Sequence, residues 1–350
     1  MLFKPLLFLF TLAAQSLLAL GFTNPIKSRD GSDPFMVYHE GYYYLTTTTW
    51  SNLQLTRATT INGLKTATPK VIWTDSTSSR CCNLWAPEIH WYTPASGRRI
   101  LVHVRLIRYM QVCTRAEPYN VSYYSAGSSG TLDNQRTHVL KGSSTSIWDS
   151  NWSYASRIAI PGRDVWAIDS TVLIIGSTRY LVYSSWDGAD QCIFISKMNS
   201  ATSVGNTVLI SRPTLSWERV GSNVNEGPAA IYHGGRTWIV YSASGCAGTG
   251  YKLGRLEFTG SDPMNPSSWT KYGNPIFQSA NGFGSQPGHN GFFLSPSGNQ
   301  IWNVYHANTA SPGNCDGSRR TLVQMVNWNS DGTPNLGSPR ALSDNIAEPV

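Results

Sequence analysis

Residues Ser32–Trp50 read SDPFMVYHEGYYYLTTTTW, and this stretch sets an acidic residue directly before a hairpin. The Asp-Pro pair precedes an apolar run, a Glu-Gly turn and a second run rich in aromatic residues, which is typical of two antiparallel strands. Similar units recur along the chain. Their recurrence decides the fold, and the acid at the opening of the hairpin requires an explanation.

Four further segments repeat this order of an opening residue, a short strand, a turn and usually a second strand. They begin at Ala86, Asp169, Glu226 and His289 and read APEIHWYTPASGRR, DSTVLIIGSTRYLVYSS, EGPAAIYHGGRTWIVYSAS and HNGFFLSPSGNQIWNVYHA. Most intervals between the openings are 53 to 63 residues long, which is enough for a four-stranded sheet with its loops. Five such sheets around one axis predict an all-β fold, a five-bladed β-propeller.

The composition favours strands and turns over amphipathic helices. Charged residues make up 13% of the chain and aromatic residues 12%, with 31 Gly and 19 Pro. The formal net charge is +7, and the cations are scattered along the chain. Since a nucleic-acid site needs clustered basic residues, no nucleic-acid partner is expected.

The N-terminus is typical of a secretory signal peptide. Met-Leu-Phe-Lys is followed by a nearly uncharged apolar run from Pro5 to Leu20 that ends in small residues. We expect residues 1–21 to be a signal peptide, residues 22–350 to form a single five-bladed propeller domain, and the protein to be secreted and extracellular. A signal anchor is the alternative, but the run is short for a membrane span of about 20 residues.

The six cysteines fit an oxidising compartment, and their spacing matches no zinc-binding template. The adjacent Cys81 and Cys82 could form a vicinal disulfide or stay free. Sequence alone does not give the pairing of the cysteines.

Residues 100–120 depart from the repeat. They read ILVHVRLIRYMQVCTRAEPYN, and the interval from Ala86 to Asp169 is the longest, at 83 residues. The stretch lacks the aromatic strand of the other blades. It is either a genuine insertion or a translated intron from a gene-model error, and the second interpretation predicts that deleting Ile100–Pro118 improves the soluble yield.

The geometry of a propeller explains why acidic residues stand at the openings of the blades. The first strand of each blade lines the central channel, so residues at the same strand position in different blades converge. Asp33, Asp169, Glu226 and His289 would then meet. A single acid could merely satisfy a turn backbone, but three carboxylates and an imidazole in one polar pocket indicate chemistry.

Five motifs resemble the blade openings of glycoside hydrolase family 43, namely SDPFMVY, LWAPEIHW, AIDSTVL, NEGPAAIY and PGHNGFF. The similarity runs from about Asn24 to Pro339. It implies a five-bladed propeller that cleaves arabinose- and xylose-containing polysaccharides. Two more stretches, SAGSSGTLDNQRTHVL and NWNSDGTPNLGSP, resemble the family's exo-acting α-L-arabinofuranosidases.

The resemblance implies that Asp33 is a general base, that Glu226 is a general acid, and that Asp169 tunes and orients its partner. An inverting glycosidase needs one carboxylate to activate water and one protonated carboxyl to protonate the leaving oxygen, about 6.5–9.5 Å apart. Asp169 would keep Glu226 protonated through like-charge repulsion.

The resemblance also implies that His289 helps to hold a cation on the axis, commonly calcium, or its water shell. A channel histidine without a metal is the alternative, since calcium prefers oxygen ligands. The chemistry itself requires no cofactor. Arg319 or Arg320 resembles a substrate-contacting arginine, because a guanidinium can bind sugar hydroxyls and restrain a carboxylate.

Three tryptophans are candidate walls of the sugar subsite, because aromatic faces bind the apolar faces of sugars. They are Trp85, Trp50 and Trp166. Most of the 13 tryptophans must instead pack between blades.

The resemblance implies release of L-arabinofuranose from arabinan or arabinoxylan side chains and from arabino-oligosaccharides, and we expect the protein to be a monomer. A β-xylosidase, an endo-arabinanase and a non-catalytic carbohydrate-binding propeller are the alternatives. The loops between blades decide specificity. A pocket closed at one end would mean exo action, and an open groove would mean endo action.

Overall fold

The computed structural model describes residues 21–92, 118–280, 285–308 and 310–350. Its main strands form five antiparallel sheets, which confirms the five-bladed β-propeller. The strands of the first two blades, with the short strand that precedes them, are β1 (Gly21–Phe22), β2 (Phe35–His39), β3 (Tyr42–Thr46), β4 (Leu53–Ala58), β5 (Lys70–Trp73), β6 (Cys82–Tyr92), β7 (Tyr119–Gly127), β8 (Arg136–Gly142) and β9 (Trp152–Arg157).

The third and fourth blades are also four-stranded. Their strands are β10 (Ile168–Ile175), β11 (Thr178–Asp187), β12 (Asp190–Ser200), β13 (Ser203–Ser211), β14 (Asn225–His233), β15 (Arg236–Ala243), β16 (Lys252–Phe258) and β17 (Trp269–Lys271). The fifth blade and the C-terminal segment contain β18 (Ser285–Leu294), β19 (Ile301–Asn308), β20 (Arg320–Met325), β21 (Asn327–Trp328), β22 (Pro334–Asn335) and β23 (Ile346–Ala347). Single 3₁₀ turns occur at Asn62–Lys65, Ser216–Glu218 and Pro266–Ser268.

The apolar core lies between neighbouring blades. Between blades 2 and 3, for example, Val121 and Tyr123 pack with Leu181 and Phe194 in one buried cluster. Burial of each such side chain stabilises the fold by about 1.5–3 kcal/mol. The aromatic and β-branched side chains of the strands therefore serve mainly to pack one blade against the next.

Each inner strand contains a residue with a left-handed backbone or, in blade 1, follows one by two positions. A non-glycine residue in this region costs about 1–3 kcal/mol, so the repeated feature is maintained by its surroundings. The five residues and their φ angles are Asp33 (51°), Ala86 (45°), Asp169 (56°), Gly227 (53°) and His289 (40°). Glu226 precedes the left-handed position of its blade by one residue, so the sequence alignment that placed it level with Asp33 and Asp169 is wrong by one step.

Polar side chains on the second strand of the preceding blade, or two residues beyond its end in the case of Thr48, hold these openings in place. In four blades the backbone N–H of the left-handed residue donates to such a side chain. The bonds are Asp33 N to His306 Nδ1 (3.1 Å), Ala86 N to Thr48 Oγ1 (2.9 Å), Asp169 N to Ser125 Oγ (3.2 Å) and His289 N to Ser242 Oγ (2.7 Å). The fourth blade differs, because Gly227 N donates to the carboxylate of Asp169 instead (3.1 Å).

The N-terminal segment closes the ring against blade 5. Asn24 Nδ2 donates to Val323 O and Val323 N donates to Asn24 Oδ1, both at 2.9 Å. Gly21, which the sequence assigned to the leader, pairs with Ala347. Residues from the two ends of the chain therefore complete one circular assembly.

The structure of blade 2 corrects the expectation that residues 100–120 all lie outside the repeat. Tyr119 and Asn120 belong to β7, and Tyr119 pairs directly with Tyr92 of β6. β7 also supplies the aromatic strand that appeared to be missing, with Tyr119, Tyr123 and Tyr124. Because the interval is long, this strand occurs later in the sequence than the repeat predicted. The rest of the anomalous stretch, up to residue 117, lies outside the described residues.

Two disulfides answer the question of cysteine pairing in the described part of the chain. Cys81 and Cys82 are joined to each other, and Cys246 is joined to Cys315. The second disulfide links the loop after β15 to the loop before β20, and so ties blade 4 to blade 5 beside the channel.

Candidate active site

A cavity of about 190 Å³ lies on the propeller axis, and all five blades contribute to its wall. Asp33, Asp169, Glu226 and His289 meet there although they are far apart in sequence. The remaining lining residues are Trp50, Trp85, Leu132, Ile168, Cys246, Cys315 and Arg319. A larger cavity of about 350 Å³ involves the same inner strands, but chiefly apolar side chains and the Glu88–His90 pair line it.

Asp33 is held as a carboxylate. Thr48 Oγ1 donates to Oδ2 at 2.6 Å, while Arg319 Nη1 and His289 Nδ1 lie 3.3 and 3.2 Å from Oδ1. Burial alone would raise the pKa of Asp33, but the charges of Arg319 and His289 outweigh it and hold the pKa well below its usual range. An ionised carboxylate of this kind can accept a proton from water.

His306 supports Asp33 from the second strand of blade 5. Burial, with Arg319 acting in the same direction, lowers the pKa of His306 to about 4. The neutral ring can therefore accept the N–H of Asp33 at Nδ1. Sequence reasoning missed His306, which lies within the strand IWNVYHAN and belongs to none of the blade-opening motifs.

Asp169 is 7% exposed, and its Oδ2 accepts the N–H of Gly227. Burial raises the pKa of Asp169 to about 7, with His289 opposing this shift and the nearby Glu226 carboxylate adding to it. A Cβ at residue 227 would lie 3.1 Å from the His289 ring, so glycine permits both the left-handed backbone and this close approach.

Glu226 is bound on both oxygens. Tyr251 Oη donates to Oε1 at 2.8 Å, and Gln191 Nε2 donates to Oε2 at 2.9 Å. Burial raises the pKa of Glu226 above its ordinary value, although Tyr251, His289 and Gln191 counteract it. Because Asp169 and Glu226 both favour the protonated form, the pair retains a proton near neutral pH and titrates as one unit.

Neither Tyr251 nor Gln191 carried a signal in the sequence. Both lie outside the inner strands: Gln191 reaches Glu226 from blade 3, and Tyr251 reaches it from the loop before β16 of blade 4, to which Glu226 itself belongs. The repeat motifs could identify Glu226 but not the two groups that orient it.

His289 lies between two acids, with Nδ1 3.2 Å from Asp33 Oδ1 and 3.9 Å from Asp169 Oδ2. Burial alone would lower the pKa of His289, but Asp169 and Asp33 reverse the effect and raise it. Within the described ranges no three His, Cys, Asp or Glu side chains converge to hold a metal ion. An imidazolium supplies positive charge at this point, and a calcium ion bound through water stays a prediction.

The two candidate arginines differ in position. Arg319 is 5% exposed and lines the cavity, while Arg320 begins β20, pairs with Ala307 and is absent from the lining. Trp50 and Trp85 line the cavity in an edge-to-face pair with ring centroids 5.7 Å apart. Trp166 stands outside it, and its Nε1 donates to the backbone oxygen of Leu132, which is a lining residue.

One carboxylate held ionised and two buried carboxyl groups of raised pKa in a single cavity are the groups that acid–base hydrolases of carbohydrates need. The model for "Glycosyl hydrolases family 43" matches residues 22–334. The chain therefore belongs to glycosyl hydrolases family 43, and it is a glycoside hydrolase.

Three of the similar proteins carry the name arabinofuranosidase. The chain is 36% identical to an extracellular exo-α-(1→5)-L-arabinofuranosidase of Streptomyces avermitilis, over 96% of this chain and 70% of that protein. It is 35% identical to α-L-arabinofuranosidase 43 of Humicola insolens, over 88% of this chain and 62% of that protein. The crystal structure of an α-L-arabinofuranosidase from Lactobacillus brevis superposes with a TM-score of 0.79 at 28% identity, covering 93% of this chain and 98% of the other.

Proposed function

We propose that this protein is an inverting, exo-acting α-L-arabinofuranosidase that removes single L-arabinofuranose units. The size of the axial cavity carries the proposal. At about 190 Å³ it lies below the range of roughly 300–1,000 Å³ that holds drug-sized ligands, and residues from all five blades surround it. Such a cavity suits one sugar ring, and the names of the similar proteins favour arabinose.

The residues support a division of labour between the acids. Asp33, held ionised by Arg319 and His289, takes a proton from the attacking water. Glu226, kept protonated by burial and by its pairing with Asp169, gives its proton to the leaving oxygen. His289 lies beside the carboxyl groups of Asp33 and Asp169 and stabilises negative charge on them without giving a proton to the substrate.

Secretion and a plant cell-wall substrate are part of the same proposal. The apolar leader at residues 1–21 and the extracellular relative support secretion. Arabinan and arabinoxylan are the polymers that present terminal L-arabinofuranose. Among the residues that the structure describes, no helix is both long enough and apolar enough to span a membrane.

The test is product identification. The purified protein is incubated with linear arabinan, with arabinoxylan and with xylo-oligosaccharides, and the earliest released sugars are identified. Arabinose alone from arabinan is expected. Arabino-oligosaccharides as first products would indicate an endo-arabinanase, xylose a β-xylosidase, and binding without release a non-catalytic propeller; each of these results would overturn the proposal.

A further inference from the structure

Two tryptophans of blade 3, the exposed Trp186 and the half-buried Trp166, form a pair beside the cavity. Trp186, near the end of β11, is 40% exposed, and its ring centroid is 5.6 Å from that of Trp166 at an interplanar angle of 46°. The backbone of this pair is fastened, because Ser185 Oγ donates to Trp166 O and Arg163 Nη2 donates to Trp186 O. The pair is therefore both accessible and held in position.

Leu132 connects this pair to the cavity. Trp166 Nε1 donates to Leu132 O at 2.8 Å, and Leu132 is 55% exposed while also lining the cavity. We name Leu132, Trp166 and Trp186 the aromatic ledge. Single exposed apolar residues are ordinary, but a contiguous group that runs into a pocket marks a binding surface.

The ledge lies on the side of the proposed acid. Trp186 pairs across the β11–β12 hairpin with Gln191, whose Nε2 donates to Glu226 Oε2 at 2.9 Å. Directly opposed residues on antiparallel strands share a face, with Cβ atoms about 4.5–5.5 Å apart. Trp186 is therefore one cross-strand step from the side chain that orients Glu226.

The position of the acid fixes which part of a substrate can reach the ledge. A general acid protonates the oxygen of the leaving group, so the leaving sugars lie on the acid's side of the cavity. Polar groups suited to sugar hydroxyls border the same hairpin, where Arg212 pairs with Asp187 and Asp190.

We propose that the aromatic ledge binds the leaving-group side of an arabinofuranosyl oligosaccharide, contacting the second and third sugar units. The inference rests on the function proposed above. The faces of Trp186 and Trp166 cover the apolar faces of the sugars, while Leu132 covers the step between the cavity and the ledge.

The test compares substrates that differ only in their leaving group. Trp186→Ala should raise KM for arabinotriose by about 2- to 10-fold, as expected for loss of one aromatic stacking contact, and should leave kcat within about twofold. KM for 4-nitrophenyl α-L-arabinofuranoside, which is too short to cover the ledge, should stay within about twofold. Trp186→Phe should recover part of the loss, because it restores an aromatic face.

Tyr272→Ala is the matched control, because Tyr272 is a similarly exposed aromatic residue at 42% and lies in blade 4 away from the cavity. It should leave every KM unchanged. Equal effects of Trp186→Ala on KM for arabinotriose and for the aryl glycoside would overturn the proposed binding role of the aromatic ledge. A wild-type protein that releases no arabinose from either substrate would instead overturn the proposed function, so the two failures are distinguishable.

Discussion

At the residue scale, three buried carboxylates acquire different protonation states from different neighbours. Asp33 faces Arg319 and His289, which stabilise its charge, whereas Asp169 and Glu226 are buried beside each other and resist ionisation. All three side chains end in a carboxyl group with a similar ordinary pKa. Their different surroundings therefore produce the difference in pKa between the proposed base and the proposed acid. Two predictions follow from this separation.

The first prediction distinguishes the acid from the base by leaving group. Glu226→Gln removes the proton donor, so the rate on arabino-oligosaccharides should fall by about 10²- to 10⁴-fold. An aryl arabinofuranoside with an acidic phenol needs little protonation and should lose far less. Asp33→Asn should slow both substrates to a similar extent, since every substrate needs the activated water. Equal losses on both substrates for Glu226→Gln would refute its assignment as the acid.

The second prediction concerns the alkaline limb of the pH profile. Asp169 faces Glu226, Asp33 and His289, and its pKa of about 7 implies that kcat/KM falls as the pH rises above about 7, when the acid pair loses its proton. Asp169→Asn removes a negative charge beside Glu226, which lowers the pKa of Glu226 and moves the alkaline limb to lower pH. The acidic limb, set by Asp33, lies below the usual aspartate range. An unmoved alkaline limb in Asp169→Asn would contradict the coupling.

At the element scale, the described ends of the β6–β7 hairpin of blade 2 pair as the ends of a tight hairpin do. Tyr92 stands opposite Tyr119, as His39 stands opposite Tyr42 in blade 1. In blade 1 the two turn residues, Glu40 and Gly41, have φ of 49° and 83°, which is the pattern of a two-residue turn compatible with strand twist. The same turn therefore fits between Tyr92 and Tyr119.

The third prediction replaces residues 93–118 with Asn-Gly. The variant should fold with the wild-type circular dichroism spectrum and keep its activity on the aryl arabinofuranoside, and its soluble yield should rise if the replaced segment is a translated intron. Glu40→Asn is the control, because it installs Asn-Gly in the equivalent turn of blade 1. An insoluble replacement variant beside a soluble Glu40→Asn would mean that the segment is required for the blade.

At the scale of the whole molecule, the ring closes by joining the two ends of the chain. Asn24 satisfies both backbone groups of Val323, 299 residues away, and is 3% exposed. Glu348 near the C-terminus accepts the N–H groups of Ile61 and Asn62 in blade 1, at 2.8 Å each. These contacts hold blades 1 and 5 together, and Asp33, His306 and Arg319 meet across that junction.

The fourth prediction tests the closure. Asn24→Ala leaves the buried N–H and C=O of Val323 without partners, so the free energy of unfolding should fall by about 1–3 kcal/mol. Urea denaturation followed by tryptophan fluorescence measures the change. Asn299→Ala, at an exposed position, should change it by less than about 0.5 kcal/mol. Equal effects of the two substitutions would show that the Asn24 contacts do not stabilise the closure.

The sequence by itself was enough to predict the five-bladed propeller. It was also enough to predict that Asp33, Asp169, Glu226 and His289 lie together in one site. It could do so because each blade repeats a local order of opening residue, strand and turn, and local order is visible along the chain. It also identified the family, since the five motifs lie at those openings. Among the aligned acids, the alignment misplaced Glu226 by one residue, because Gly227 is the residue equivalent to Asp33 and Asp169.

The tertiary structure alone decided which neighbours each acid has. His306, Tyr251 and Gln191 come from second strands, third strands and loops, whose positions depend on how blades pack and not on any periodic pattern. The same holds for the choice of Arg319 over Arg320 as a lining residue and for the aromatic ledge beside Leu132. A pKa depends on distances of a few ångströms between residues that are hundreds of positions apart, and those distances exist only once the ring has closed.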